Sequence, residues 1–222
     1  PPRTWLMLGQ KAGDNSQLLA LVEALGWPYE SRHLVYRRTE LLTNLFAGPT
    51  LMGLIKERSS PLEPPWPELI ISAGRRNEPL VRWIQQQAGG KGSVKLVHVG
   101  RPWAAHECFD LIVTTPQYRL PHKPNILHNE TPLHRVSPER LAKAAAEWRP
   151  RLADLPRPCI AVIMGGQAGP YNFDRENGAV LGWHANRMAE DLGGSLLVTT
   201  SARTPAKAID ALEREIRVPA HV

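Results

Sequence analysis

Several short stretches of this 222-residue chain place basic, hydroxyl or glycine residues directly after an apolar run. They are Gln10-Lys11, Gly74-Arg75-Arg76, Gly100-Arg101, Thr114-Thr115-Pro116-Gln117-Tyr118, Gly165-Gly166 and Ser201-Ala202-Arg203. Guanidinium and ammonium groups hold phosphate oxygens through charge-assisted hydrogen bonds, and glycines let backbone N–H groups approach an oxyanion. Such a set suits capture of a phosphate-bearing ligand, of which a nucleotide sugar is one. Arg75 and Arg76 come just before a helix opened by Pro79, where cations oppose the helix dipole at a cost of up to about 1 kcal/mol each. An anion between them offsets that cost; two arginines pointing into water would leave it small.

These stretches are positioned by runs that read as strands at 4–8, 68–73, 94–99, 110–114, 159–164 and 196–200, with 31–36 and 125–128 as two more. The run at 159–164, bounded by Pro158 and a glycine pair, predicts a strand buried on both faces, as in parallel sheets. Asp14, with Gln17 three residues on, reads as a capping box opening a helix with Leu18, Leu21, Val22 and Leu25 inward and Gly26 as its stop. Leu80, Val81, Ile84 and Ala88 mark the face of the next helix, and Ser137-Pro138 opens one that runs to about Trp148. After Gly165-Gly166 a helix starts near Asp174, with Leu181, Ala185, Met188, Ala189 and Leu192 on one side, and a last helix covers 208–216. Strand, glycine loop and helix N-terminus together make an anion-binding device, although the same glycines also serve a plain chain reversal.

Composition narrows the class. Hydrophobic residues make up 42% of the chain, enough for a packed core. Cys108 and Cys159 lie far apart with no metal-ligand spacing, which suits a reducing compartment. No apolar run is long enough to span a bilayer and the N-terminus has no export pattern, so the expected location is the cytoplasm. The net charge of +6 accommodates an anionic partner, but the basic residues are scattered and no nucleic-acid motif appears, so nucleic acid is not expected. The apolar segment 39–55, broken at Gly48-Pro49 and flanked by Arg37, Arg38, Lys56 and Arg58, reads either as a buried helical hairpin or as a surface lying on an anionic membrane.

Of the 21 prolines, 12 gather in connectors at 61–67, 116–138 and 150–158. The expected fold class is α/β. Residues 1–155 form one Rossmann-like domain and 159–222 the first part of a second, whose two parallel strands are too few to stand alone.

The pieces Lys11-Ala-Gly-Asp-Asn-Ser-Gln17, Ser72-Ala-Gly-Arg-Arg76, His98-Val-Gly-Arg-Pro102, the run from Asp110 to Leu120 with Thr114-Thr-Pro-Gln-Tyr118, Pro132-Leu-His-Arg135 and Val162-Ile-Met-Gly-Gly166 occur in order over nearly the whole chain. In them the sequence resembles bacterial members of the mitochondrial fission ELM (elongated mitochondria) family, itself similar in fold to GT-B glycosyltransferases. The resemblance implies two Rossmann-like domains facing a cleft, with the acceptor on the first and the sugar nucleotide mainly on the second. It implies no metal or other cofactor, and no Asp-x-Asp pair is present. The part of the second domain that usually carries the ribose-holding acid is expected to be missing. Under that resemblance Asp14 is the first candidate for a general base toward an acceptor hydroxyl and His98 the second, with N-capping as the alternative duty of Asp14. Lys11, Asn15, Arg75, Arg76, Arg101, Thr115, Gln117 and Tyr118 would contact ligand from the first domain. Gly165, Gly166, Ser201 and Arg203 would do so from the second. The competing expectation is a non-catalytic scaffold that keeps the fold and acts through protein or membrane-surface contacts.

Overall fold

Strand β1 (Thr4–Leu8) is apolar along its length and buried throughout. Trp5 and Met7 join one hydrophobic cluster, while Leu6 and Leu8 join another. Strand β3 (Leu69–Ala73) repeats the pattern, with Ile70 in the first cluster and Ile71 and Ala73 in the second. Alternation with both faces apolar is what a strand covered by helices on either side requires. Helix α1 (Ala12–Leu25) supplies Leu18 and Val22 to the second cluster. Helix α2 (Glu78–Gln87) supplies Leu80, Val81 and Ile84 to the first, so the two helices lie on opposite faces.

The computed structural model describes residues 1–37, 48–167 and 171–222. They divide into two compact units, Pro1–Val136 and Ser137–Val222. In the first unit, β1 and β3 pair with β2 (Tyr29–His33), β4 (Lys95–Val99), β5 (Leu111–Thr114) and β6 (Ile126–His128) in a six-stranded sheet of order β2-β1-β3-β4-β5-β6. Every pairing in it is parallel. The expected α/β class with a parallel sheet is therefore present.

The second unit contains α3 (Pro138–Trp148), β7 (Cys159–Ile163), α4 (Arg175–Leu192), β8 (Ser195–Thr199), α5 (Ala206–Glu215) and β9 (Ala220–His221). Its strands form a parallel sheet of order β7-β8-β9. Ser137 caps α3 by accepting from the Arg140 N–H at 3.2 Å. Asp174 and Asn177 form a reciprocal capping box on α4. Among the described residues no helix is long and apolar enough to cross a membrane.

Several expectations need correction. Asp14 is not an N-cap: α1 begins two residues earlier, after Lys11, so Asp14 lies within the first turn. Leu25 is 38% exposed, because Leu18, Ala20 and Val22 carry the inward stripe. The second strand covers 29–33 rather than 31–36, since Tyr29 pairs in register with Thr4, while Tyr36 has left the sheet to bridge Leu54. β7 is an edge strand, and Ile163 is 79% exposed rather than buried on both faces. A third strand, β9, adds to the two expected after residue 159.

Helix α4 also turns a different face inward. Gly178, Gly182, Ala185, Asn186 and Ala189 are buried, whereas Met188 and Leu192 are exposed. A β-carbon on Gly178 would stand 2.2 Å from the Ala208 carbonyl oxygen, and one on Gly182 would stand 2.6 Å from that of Leu212. The two helices meet backbone to backbone, so the smallest residues define the contact. Of the apolar segment 39–55, residues 39–47 lie outside the described part. Residues 48–55 carry no helix, and Leu54 is buried against the first cluster.

Candidate functional site

In the first unit the chain runs from β1 outward to β2, then returns across β1 to build β3 to β6 on its other side. Connections leave β1 and β3 toward opposite faces, which opens a crevice beyond their carboxyl ends; this is where ligands bind in open parallel sheets. A pocket lies there. It is lined by Gln10, Lys11 and Asp14 after β1, by Gly74, Arg75, Arg76 and Asn77 after β3, and by Tyr36.

Two side-chain amides shape this crevice. Asn15 clamps the β1–α1 turn: its Oδ1 accepts from the Gly9 N–H at 3.0 Å and its Nδ2 donates to the Gly9 carbonyl at 2.8 Å. Asn77 ties the strand ends together, with Nδ2 donating to the carbonyls of Met7 at 3.2 Å and Ala73 at 3.0 Å. Its Oδ1 accepts from the Tyr36 hydroxyl at 2.6 Å. A buried amide satisfied on both ends fixes the spacing of β1 and β3 where the ligand would sit.

The charged residues take distinct places. Arg76 donates to the Gln10 side-chain oxygen at 3.1 Å, linking the two loops. Arg75 stacks on the Trp103 ring, 4.2 Å from its centroid. Asp14 is partly buried beside them, and that burial raises its carboxyl pKa above the ordinary Asp value, with the Lys11 charge pulling the other way. Among the described residues, Lys11, Arg75, Arg76 and the proton-hungry carboxylate of Asp14 thus line one opening.

Beneath the crevice lies a buried acid. Glu78 is 3% exposed and accepts from the backbone N–H of Trp103 through both oxygens at 3.0 Å, and from that of Ala104 at 2.8 Å. It anchors the loop that carries Trp103, and through it the ring on which Arg75 rests. Burial raises the Glu78 pKa, against the lowering effect of the Ala104 and Trp103 amides and of Arg82 and Arg75.

His98 has no exposed surface, and burial pushes its pKa down to about 3. It is neutral at pH 7, so its Nε2, 4.0 Å from Glu78 Oε1, is not part of an ion pair. Its ring packs on Phe109 at 4.9 Å, and its Nδ1 lies 3.5 Å from the Ser72 hydroxyl. The geometry makes His98 part of the sheet interior; Asp14 is the candidate base that lines the opening.

Of the expected ligand contacts, Lys11, Arg75 and Arg76 come together in the crevice, with the expected base Asp14 beside them. Asn15 shapes it from behind. Arg101 and Gln117 are exposed, while Thr115 and Tyr118 line a separate small pocket at the ends of β4 and β5. In the second unit, Gly165, Gly166, Ser201 and Arg203 meet at the ends of β7 and β8. The Gln167 N–H donates to the Arg203 carbonyl at 3.3 Å, and the Thr204 hydroxyl donates to the Gly165 carbonyl at 2.8 Å. A β-carbon on Gly166 would stand 2.2 Å from the Arg203 carbonyl oxygen, so chain packing alone already demands glycine there. Residues that sequence reasoning missed are Tyr36, Asn77, Glu78 and Trp103. Only Asn77 carried a signal, as a short amide directly after Arg75-Arg76.

A parallel α/β protein with a cationic crevice at its topological switch point is the class that this geometry defines. The family model described as Mitochondrial fission ELM1 matches residues 12–222, and the chain belongs to that family. No match was found among curated proteins.

Proposed function

We propose that the chain is a GT-B-like protein whose first unit binds the phosphate-bearing part of a ligand in the β1/β3 crevice. Its activity would be metal-independent transfer of a sugar from a nucleotide-diphosphate donor to an envelope or lipid acceptor at the cytoplasmic face of a membrane. The observation that carries this reading is that Lys11, Arg75, Arg76 and one carboxylate, Asp14, line a single opening at the switch point. In the transfer, the acceptor hydroxyl oxygen forms the new bond to the sugar carbon while the bond to the donor diphosphate breaks. Asp14 takes the hydroxyl proton, for which a raised pKa suits it. Cationic groups hold the charge of the departing diphosphate. The glycine turn at the ends of β7 and β8 would serve the donor in the second unit.

The test is a thermal-shift screen against nucleoside diphosphates and their sugars, because a ligand at about 100 times its dissociation constant adds about 2.7 kcal/mol of stability. A shift with one base that is lost in Arg76→Ala supports the reading. A folded protein that no nucleotide shifts would sink it and favour a scaffold acting through apolar surface. Met52, 61% exposed beside the crevice unit's core, favours that second reading, and Met52→Glu would then weaken partner or vesicle binding without touching nucleotide response.

A further inference from the structure

The hydroxyls of Thr114 and Thr115 are buried and have no hydrogen-bond partner among the described residues. Thr114 is 1% exposed and Thr115 is 7% exposed. An orphaned buried hydroxyl costs about 1–3 kcal/mol; successive residues of an extended chain alternate in direction, so it is Thr115, on the same face as Val113, whose hydroxyl calls for a polar occupant on that side. Both line a pocket at the carboxyl ends of β4 and β5, together with Gln17, Gly100, Tyr118 and Asn129.

The free space there is about 10 Å³. That is room for one water-sized group. Among the described residues none that lines it is charged, in contrast to the cationic crevice at β1 and β3. The occupant is therefore a neutral hydrogen-bonding group rather than a phosphate. Gly100, at φ +99°, leaves its side-chain direction to Tyr118, whose hydroxyl lies 3.7 Å from where a β-carbon would stand. Gln17 follows Asp14 by three residues on α1, a spacing that sets both on one helix face. The same helix thus presents Asp14 to the crevice and Gln17 to the second pocket.

We propose that the β4/β5 pocket takes a single hydroxyl group of a ligand whose phosphate lies in the β1/β3 crevice, which makes the ligand class a phosphorylated sugar or polyol. The proposal rests on the anion reading of the crevice and adds the chemistry of the rest of the molecule.

Isothermal titration of the folded chain with inorganic phosphate, glycerol 3-phosphate and glucose 1-phosphate tests it. At least one of the two phosphorylated alcohols is expected to bind about tenfold more tightly than phosphate, since one satisfied buried hydroxyl is worth about that factor. Thr115→Val, which keeps the shape and removes the hydroxyl, is expected to erase most of that preference while leaving phosphate affinity unchanged. Thr115→Ser restores it, and Thr115→Ala, which also removes the hydroxyl, makes the same test should the valine protein fail to fold. Equal binding of all three ligands would overturn the pocket's role while leaving the crevice intact. A preference that survives Thr115→Val would overturn it too, and a simultaneous loss of stability in that variant would assign the hydroxyl to a resident water. Failure of phosphate itself to bind would remove the crevice reading and this proposal together.

Discussion

Asp14 Oδ2 lies 2.8 Å from the point that a β-carbon on Gly74 would occupy. The turns after β1 and β3 are thus fitted to each other at the mouth of the crevice, and Gly74, at φ +75°, is doubly constrained. Gly74→Ala is expected to lose about 1 kcal/mol from backbone strain alone, plus the displacement of Asp14. Gly90→Ala supplies the comparison, because Gly90 sits at φ +91° and a β-carbon there would meet nothing within 4 Å. Urea unfolding should show the larger loss for Gly74→Ala, and adding Asp14→Ala should recover the difference.

Asn77→Ala removes the link between the ends of β1 and β3 and leaves the Met7 and Ala73 carbonyls short of a donor. The expected loss is about 2–3 kcal/mol, read as a lower urea midpoint at unchanged slope. A loss under about 0.5 kcal/mol would show that the strand ends hold without it.

Glu78→Gln replaces one of two acceptor oxygens by a donor. The Trp103 and Ala104 amides lose part of their anchor, and the loop bearing the Arg75 stacking partner loosens. Hydrogen exchange at those two amides should accelerate by about tenfold or more, while exchange within β4 stays slow. Unchanged protection at both would remove Glu78 from this role.

Burial of His98 sets a pH window for stability. Its folded pKa lies at about 3, below the ordinary histidine value of 6.5, so the unfolded chain takes up a proton first as pH falls. The stability associated with a neutral His98 is present above pH 6.5 and is lost progressively as pH drops toward 3. His98→Gln should flatten the stability profile over that window by an amount on the order of a few kcal/mol. Asp14 and Glu78, with raised values, act in the opposite sense: the stability they contribute is present at low pH and declines as pH rises through their folded pKa values. Urea midpoints of the parent and His98→Gln proteins between pH 4 and pH 7 give the comparison, and parallel profiles would contradict the assignment.

Gly182→Leu drives a side chain into the Leu212 backbone where α4 and α5 touch. The second unit is expected to lose its cooperative unfolding transition, whereas Val180→Leu, on the exposed side of α4, should change stability by less than about 0.5 kcal/mol. Circular dichroism melts of both variants distinguish the two faces.

Local pattern alone identified the strands at β1, β3, β4 and β8, the helix starts at Ser137 and Asp174, and the stop at Gly26, because each depends on neighbours within a few residues. The basic strand ends were also legible, since Lys11, Arg75 and Arg76 directly follow the runs that place them. Family membership was legible for the same reason, as ordered motifs along the chain. What only the tertiary structure decided were relations between distant residues. The inward face of α4 depends on how closely α5 approaches, so glycines outweigh the larger Met188 and Leu192. The separation of Asp14 at the opening from His98 in the interior depends on strand order, which no single segment encodes. Likewise Asn77 and Glu78 look like ordinary helix-start residues; they become the supports of the crevice only because folding brings Met7, Tyr36 and Trp103 within hydrogen-bonding reach of side chains far away in sequence.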